Sequence, residues 1–199
     1  MRLGIFGGTF DPPHLGHLVL ADEALHQLGL DQVLWVLTPD PPHKLGQSIR
    51  PWQVREELVT AAIDSRPEFK LSKVEIERPG PQYTVDTVRI LSSQFPGAEL
   101  HYLIGGDSLR DLPDWYKPAE FLSAVSGLGV QRRTGAVFNL TRLESLLPGI
   151  TRKVQFIDAP ALEISSSDIR ERIATGRPFR YFLLPAVQQV ILSKRLYRK

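Results

Sequence analysis

The 199-residue sequence predicts a single α/β domain built as a doubly wound parallel sheet with helices on both faces. Three observations carry that expectation. Short apolar runs alternate along the chain with segments whose apolar residues recur every three or four positions. The first run ends in a glycine-rich turn leading into a helix, where open α/β sheets place their ligands. The length suits one hydrophobic core and is short for two, and 42% hydrophobic with 23% charged residues is ordinary globular usage.

Taken in order, residues 3–6 are an apolar run stopped by Gly7 and Gly8, a buried strand. Residues 15–28 read as a helix, with Leu18, Ala21, Leu25 and Leu28 on one side and Gly29 as its stop. Residues 33–37 form a second buried strand. The proline-rich stretch 39–51 follows, with the weakest structural signal and the look of a mobile flap. Residues 52–63 are helical. A weaker strand candidate at 71–77 precedes the break Pro79-Gly80-Pro81. Residues 84–95 give a helix and 100–104 a strand ended by Gly105 and Gly106. A short helical turn at 121–126 leads to a strand at 128–131, and a further strand lies at 154–157. Helices at 165–174 and 186–193 make the C-terminal part, 165–199, helical.

Composition removes several classes. There are no cysteines, which excludes disulfides, thiolate zinc sites and cysteine nucleophiles. A net charge of +2 asks for no polyanion-binding surface, so no nucleic-acid partner is expected. The opening apolar stretch is broken at once by glycines and prolines, too short for a secretory signal or for the roughly 20 residues of a membrane span. The expectation is a cytoplasmic protein with no membrane partner, monomeric or a small homo-oligomer.

The chemistry concentrates in the first turn, Gly7-Gly8-Thr9-Phe10-Asp11-Pro12-Pro13-His14-Leu15-Gly16-His17. Glycines let backbone amides approach a phosphate, and the helix start beyond offers unpaired N–H groups and a positive dipole end. His14 and His17, three apart, would share one face of that helix and could donate to phosphate oxygens. The plainer alternative is a tight turn with two surface histidines. Neither a Walker A loop nor a GxGxxG fingerprint is present, which argues against a P-loop kinase and an ordinary dehydrogenase. Near the other end, Ile164-Ser165-Ser166-Ser167-Asp168-Ile169-Arg170 opens a helix with three hydroxyls and an arginine within one turn. Hydroxyls, free amides and a charged fork can hold phosphate oxygens, and simple N-capping is the alternative.

These two motifs resemble the HxGH and ISSTxIR signatures of the nucleotidyltransferase superfamily, with Ser167 in place of threonine. The extended first turn resembles that of the bacterial nicotinate mononucleotide adenylyltransferases. The resemblance implies a Rossmann-like domain that joins the adenylyl group of ATP to nicotinate mononucleotide, with Mg²⁺ accompanying ATP. It assigns His14, His17 and Arg170 to catalysis, and Gly7, Gly8, Thr9, Phe10, Ile164, Ser166 and Ser167 to ATP and its phosphates. Gly105 and Asp107, in the turn after a strand, would meet the nucleotide ribose, and Arg133 would lie near the nucleotide. Arg132-Arg133-Thr134-Gly135 departs from the family's Arg-Pro-Gly by Thr134.

Three further segments bear on the acceptor, and those of Thr84 and Trp115 separate a pyridine from pantetheine phosphate, an FMN precursor or glycerol phosphate. Pro41-Pro42-His43-Lys44 resembles a family segment near the active site and assigns Lys44 to the acceptor. Tyr83-Thr84-Val85-Asp86-Thr87 resembles the YTxDT element, whose threonine lies beside the pyridine carboxylate, although Thr84 is also a suitable helix cap. Leu112-Pro113-Asp114-Trp115-Tyr116 resembles the LPxW element, whose tryptophan stacks on the pyridine ring, and places Trp115 and Tyr116 at the mononucleotide. A nucleotide sensor without turnover is the rival from another class, and intact His14, His17 and Arg170 speak against it.

Overall fold

The computed structural model describes residues 1–39, 49–132, 138–160 and 162–198. Six strands, β1 (Arg2–Gly8), β2 (Gln32–Leu37), β3 (Phe69–Ser72), β4 (Glu99–Gly105), β5 (Gly127–Gln131) and β6 (Val154–Ile157), form one sheet in the order β3-β2-β1-β4-β5-β6. Every neighbouring pair is parallel. Between them run α1 (Leu15–Gln27), α2 (Trp52–Ile63), α3 (Thr84–Gln94), α4 (Gly106–Asp111), α5 (Pro118–Ala124), α6 (Leu140–Leu146) and α7 (Ile150–Lys153). After β6 come α8 (Ser166–Ala174) and α9 (Pro185–Ser193). The order reverses between β1 and β4, which puts the ligand crevice of a Rossmann-like sheet at the carboxyl ends of those two strands.

Strand alternation supplies both faces. On β2, Val33, Trp35 and Leu37 join a core with α1, α2, α8 and α9, while Leu34 and Val36 join a second core with α3, α4 and α5. Successive strand side chains point to opposite faces, so a strand covered on both sides must be apolar throughout. That is why the strands read as continuous runs. Helix α1 stops in a Schellman motif: Gly29 at φ +57 lets Leu30 N–H reach the Leu25 carbonyl at 2.9 Å and Gly29 N–H reach that of His26 at 3.2 Å.

The structure departs from the sequence expectation at particular places. The strand expected at 71–77 lies at Phe69–Ser72, where Phe69 packs on Trp35 at 5.8 Å between ring centroids. Beyond it the Glu77 N–H bonds the Lys73 carbonyl, closing a turn. Val74 and Ile76 alternate with glutamates in the sequence as in a strand, but Val74 enters one core and Ile76 packs against the other, where a strand would put both on one face. The helical turn expected at 121–126 is α5, begun earlier by Pro118 in its first turn. Helices α4, α6 and α7 have no counterpart in the sequence reading. Each is short, and α6 buries only Leu143. Among the described residues no helix is long and apolar enough to cross a membrane.

Candidate active site

A cavity of about 750 Å³ opens at the switch point. Phe6, Gly7 and Gly8 at the end of β1 and Leu103, Ile104 and Gly105 at the end of β4 form its floor. The first turn and the start of α8 meet on one side, and Thr84, Trp115 and Tyr116 stand among its other lining residues.

The first turn is braced by its own aromatics. Phe10 takes a left-handed backbone conformation, φ +48, and is 2% exposed. Its ring fills the space beside Gly8, where a Cβ would stand 2.7 Å away, and packs edge-on to His17 with centroids 5.2 Å apart. A Cβ at Gly7 would stand 2.7 Å from the Tyr102 hydroxyl. The chain's own side chains therefore require both glycines.

His14 and His17 do not sit as two equivalent residues on a helical face. His14 is the N-cap of α1, in extended backbone, and its ring stacks on His17 with centroids 3.7 Å apart. The His14 N–H donates to His17 Nδ1 at 3.2 Å, which leaves Nε2 as the donor nitrogen of His17. His17 lines the cavity, and His14 is not among its described lining residues. Burial holds the His14 imidazole down to about 4, so at neutral pH it is an uncharged ring. Its Nδ1 has no hydrogen-bond partner among the described residues.

Asp11 ties the first turn to the second motif. Its carboxyl group is 2% exposed, accepts from the Tyr197 hydroxyl at 2.6 Å and from the Arg50 N–H at 3.2 Å. Its carbonyl accepts from Arg170 at 2.8 Å, and the Pro12 carbonyl accepts from the Ser166 hydroxyl at 2.8 Å. Ser165 caps α8, accepting from the Asp168 N–H at 3.1 Å. Capping thus falls to Ser165, and Ser166 and Arg170 both line the cavity. Ser167 bonds Ser165 at 3.1 Å; neither it nor Ile164, half-buried against the core, is among the described lining residues.

Arg55 of α2 is 1% exposed and donates to four carbonyls: Arg50 at 2.8 Å, Thr9 at 2.8 Å, Thr38 at 2.7 Å and Pro39 at 2.6 Å. One guanidinium thereby joins the first turn to the end of β2 and the approach to α2. A planar fork with five donors can span several carbonyls where an ammonium cannot.

The other lining residues are aromatic and polar. Trp115 packs against Phe121 at 5.3 Å and edge-on to Tyr102 at 6.1 Å, and Tyr116 stacks on Tyr83 at 4.0 Å. Thr84 is the first residue of α3 and Tyr83 stands at its N-cap, so the threonine is not the cap. Thr84 and Tyr102 both line the cavity. Glu75, also a lining residue and 4% exposed, accepts from the Thr87 hydroxyl at 2.7 Å, and burial pushes its carboxyl above the usual range. Gly105 and Ser108 line the cavity. Asp107 does not stand among the described lining residues, and its exposed carboxylate lies 3.5 Å from Arg110. Lys44 and Arg133 lie outside the described residues.

Sequence reasoning missed Asp11, Arg55, Glu75, Tyr83 and Tyr197. Asp11 and Tyr83 sat inside recognised motifs, which was signal enough to single them out. A lone buried arginine and a tyrosine 186 residues from its partner carried none.

The comparisons with known proteins agree with this geometry. The cytidylyltransferase-like family model matches residues 5–172. The Bacillus subtilis nicotinate-nucleotide adenylyltransferase is 40% identical over 98% of this chain and 98% of its own. A Thermomicrobium roseum protein named as a probable nicotinate-nucleotide adenylyltransferase is 41% identical over 99% of this chain and 92% of its own. Among solved structures, the Plasmodium falciparum nicotinic acid mononucleotide adenylyltransferase complexed with NaAD has the same fold, with a TM-score of 0.80 at 18% identity over 98% of this chain and 97% of that one. With the histidine turn and the serine–arginine helix start facing one cavity, and identity of this extent over nearly its whole length, the chain belongs to the nicotinate-nucleotide adenylyltransferase family.

Proposed function

We propose that this protein transfers the adenylyl group of ATP to nicotinate mononucleotide, giving nicotinate adenine dinucleotide and diphosphate. The observation that carries the reading is one cavity lined both by His17, Ser166 and Arg170 and by Thr84, Trp115 and Tyr116. The nucleophile is a phosphate oxygen already ionised at neutral pH, so no general base is needed. It attacks the α-phosphorus of ATP in line, a new P–O bond forms, and the bond to the leaving diphosphate breaks. Little covalent work remains for the protein, and positioning and charge stabilisation supply the acceleration.

His17, held by its stack with His14 and the edge of Phe10, presents an N–H donor to the oxygens on which charge builds. Neutral His14 orients His17 and adds no charge. Ser166, Ser167 and Arg170 at the start of α8 neutralise the departing diphosphate. Gly7, Gly8, Thr9 and Phe10 set the phosphate path, Gly105 meets the ribose, and Asp107, outside the described lining, reaches it only by leaving Arg110. Ile164 leads into the phosphate-holding helix, and Lys44 and Arg133 complete the reading from the flanking segments. Thr84 and Trp115 take the pyridine carboxylate and ring, with Tyr116 beside them. Mg²⁺ would accompany ATP and would offset the charge of its phosphates. Among the described residues no group of three His, Asp or Glu side chains converges, and no side chain is assigned to the ion. The enzyme works in the cytoplasm as a monomer or small homo-oligomer, the latter read by sedimentation.

The test is diphosphate release from MgATP with nicotinate mononucleotide, nicotinamide mononucleotide and phosphopantetheine side by side. A strong preference for the first is expected. Preference for another acceptor overturns the Thr84–Trp115 assignment, and no release with any overturns the enzyme reading.

A further inference from the structure

The chain segment after α9 reaches the first turn at a conformational cost. Among the described residues four non-glycine positions have positive φ: Phe10, Lys117, Arg195 and Tyr197. Arg195, φ +51, is explained by the end of α9. Its N–H bonds the Leu192 carbonyl at 3.2 Å and the Leu196 N–H bonds that of Ile191 at 2.9 Å, a Schellman cap with arginine where glycine is preferred. Tyr197, φ +63, lies beyond that cap, which does not require its left-handed backbone. What this conformation accompanies is the Tyr197 phenol, 5% exposed, at Asp11. The Arg50 guanidinium covers the tyrosine ring at 5.3 Å.

Asp11 is where this contact acquires consequence. Its side chain holds Tyr197 and the Arg50 N–H, while the carbonyls of Asp11 and Pro12 hold Arg170 and Ser166. Any shift of the Asp11 backbone therefore moves the start of α8 relative to the histidine turn. Burial, and next the charge of Asp11, keep the phenol protonated, so Tyr197 remains the donor of the pair.

We propose that Tyr197 is a positioning residue of the reaction: bonded to Asp11, it sets the spacing between the histidine turn and the serine–arginine start of α8. This rests on the reading that both elements hold the phosphates. Tyr197 touches no reacting atom, so its loss displaces groups without removing one. A misplacement of the order of 1 Å is enough to cost about 10²-fold in rate.

The experiment is steady-state diphosphate release by Tyr197→Phe, with thermal unfolding alongside and Ser166→Ala as the reference for the phosphate reading. Tyr197→Phe is expected to lower kcat by about 10-fold with both KM values within about threefold. A purely packing role would lower thermal stability and leave kcat per folded molecule intact. Asp11→Asn keeps an acceptor for the phenol but sets an amide against the Arg50 N–H. The double variant Asp11→Asn/Tyr197→Phe should lose no more than the worse single, because the two act as one unit. A Tyr197→Phe enzyme that keeps its kcat while Ser166→Ala loses turnover overturns the proposal alone. An unimpaired Ser166→Ala overturns the phosphate reading and the proposal with it. If Tyr197→Phe does not fold, Asp11→Asn decides: a lower kcat at unchanged thermal midpoint supports the proposal, and an unchanged kcat overturns it.

Discussion

His14 stores a pH dependence of stability that can be worked from its surroundings. The ring is 7% exposed, beneath His17, and burial lowers its pKa from 6.5 to about 4. The unfolded chain therefore takes up the proton before the folded one does. The stability that neutral His14 contributes is complete above about pH 6.5 and is lost as pH falls toward 4. Integrated between those two values, lowering the pH from 7 to 5 removes about 2 kcal/mol, or roughly 4–8 °C of thermal midpoint for a chain of this size. Glu75, raised by burial, gains stability over falling pH, and His101, lowered first by burial and then by Arg2, loses it. Both contribute equally in a His14→Gln variant, which lacks only the residue-14 titration. Urea unfolding of the two proteins at pH 7 and 5 isolates the difference. The wild type should lose about 2 kcal/mol more than the variant on acidification. Equal losses would show that position 14 is solvated and positively charged at pH 5, and the account of a neutral ring supporting His17 would fall with it.

His17→Ala should lower turnover by about 10²–10³-fold while remaining folded, since it removes one preorganised donor; turnover within a few-fold of wild type refutes its assignment. Arg55→Lys keeps the charge but cannot span four carbonyls, and chemical denaturation should show a loss of about 3 kcal/mol. A denaturation midpoint equal to wild type would mean that these carbonyls are satisfied without the fork. Trp115→Ala should raise KM for nicotinate mononucleotide by about 10-fold or more and leave that for ATP nearly unchanged, given the stacking area it removes. Equal changes in both constants would place the ring away from the pyridine.

The sheet was legible because doubly covered parallel strands have to be apolar on both faces, and β1, β2, β4 and β5 are. The place of the site was legible for a related reason: the Gly7–His17 turn is one contiguous stretch, so its chemistry can be read without knowing what folds against it. The 71–77 segment misled because Val74 and Ile76 alternate with glutamates in the sequence, although the turn sends the two side chains to different cores. Helices α4, α6 and α7 went unread because fewer than two full turns give no periodicity to detect. Arg55 was invisible for a different reason. Its partners are backbone carbonyls, which every residue carries, so the sequence around them shows nothing unusual.

The two glycines of the first turn meet a demand of the fold that the sequence reading did not include. Sequence reasoning took Gly7 and Gly8 as room for a phosphate. In the folded chain the missing Cβ atoms first make room for the Tyr102 hydroxyl and the Phe10 ring. Phe10 in turn braces His17, and Tyr102 stands edge-on to Trp115 at the proposed pyridine end. The glycines therefore let one aromatic support the phosphate side and another support the acceptor side, both against the end of β1. An alanine at either position would push on an element of the site before it met any ligand. At Gly8 the Phe10 ring is already held by a strained backbone and by Trp35 at 5.0 Å, so it has little freedom to give way. The intolerance expected at these positions is thus a property of the protein's own packing, present with or without substrate.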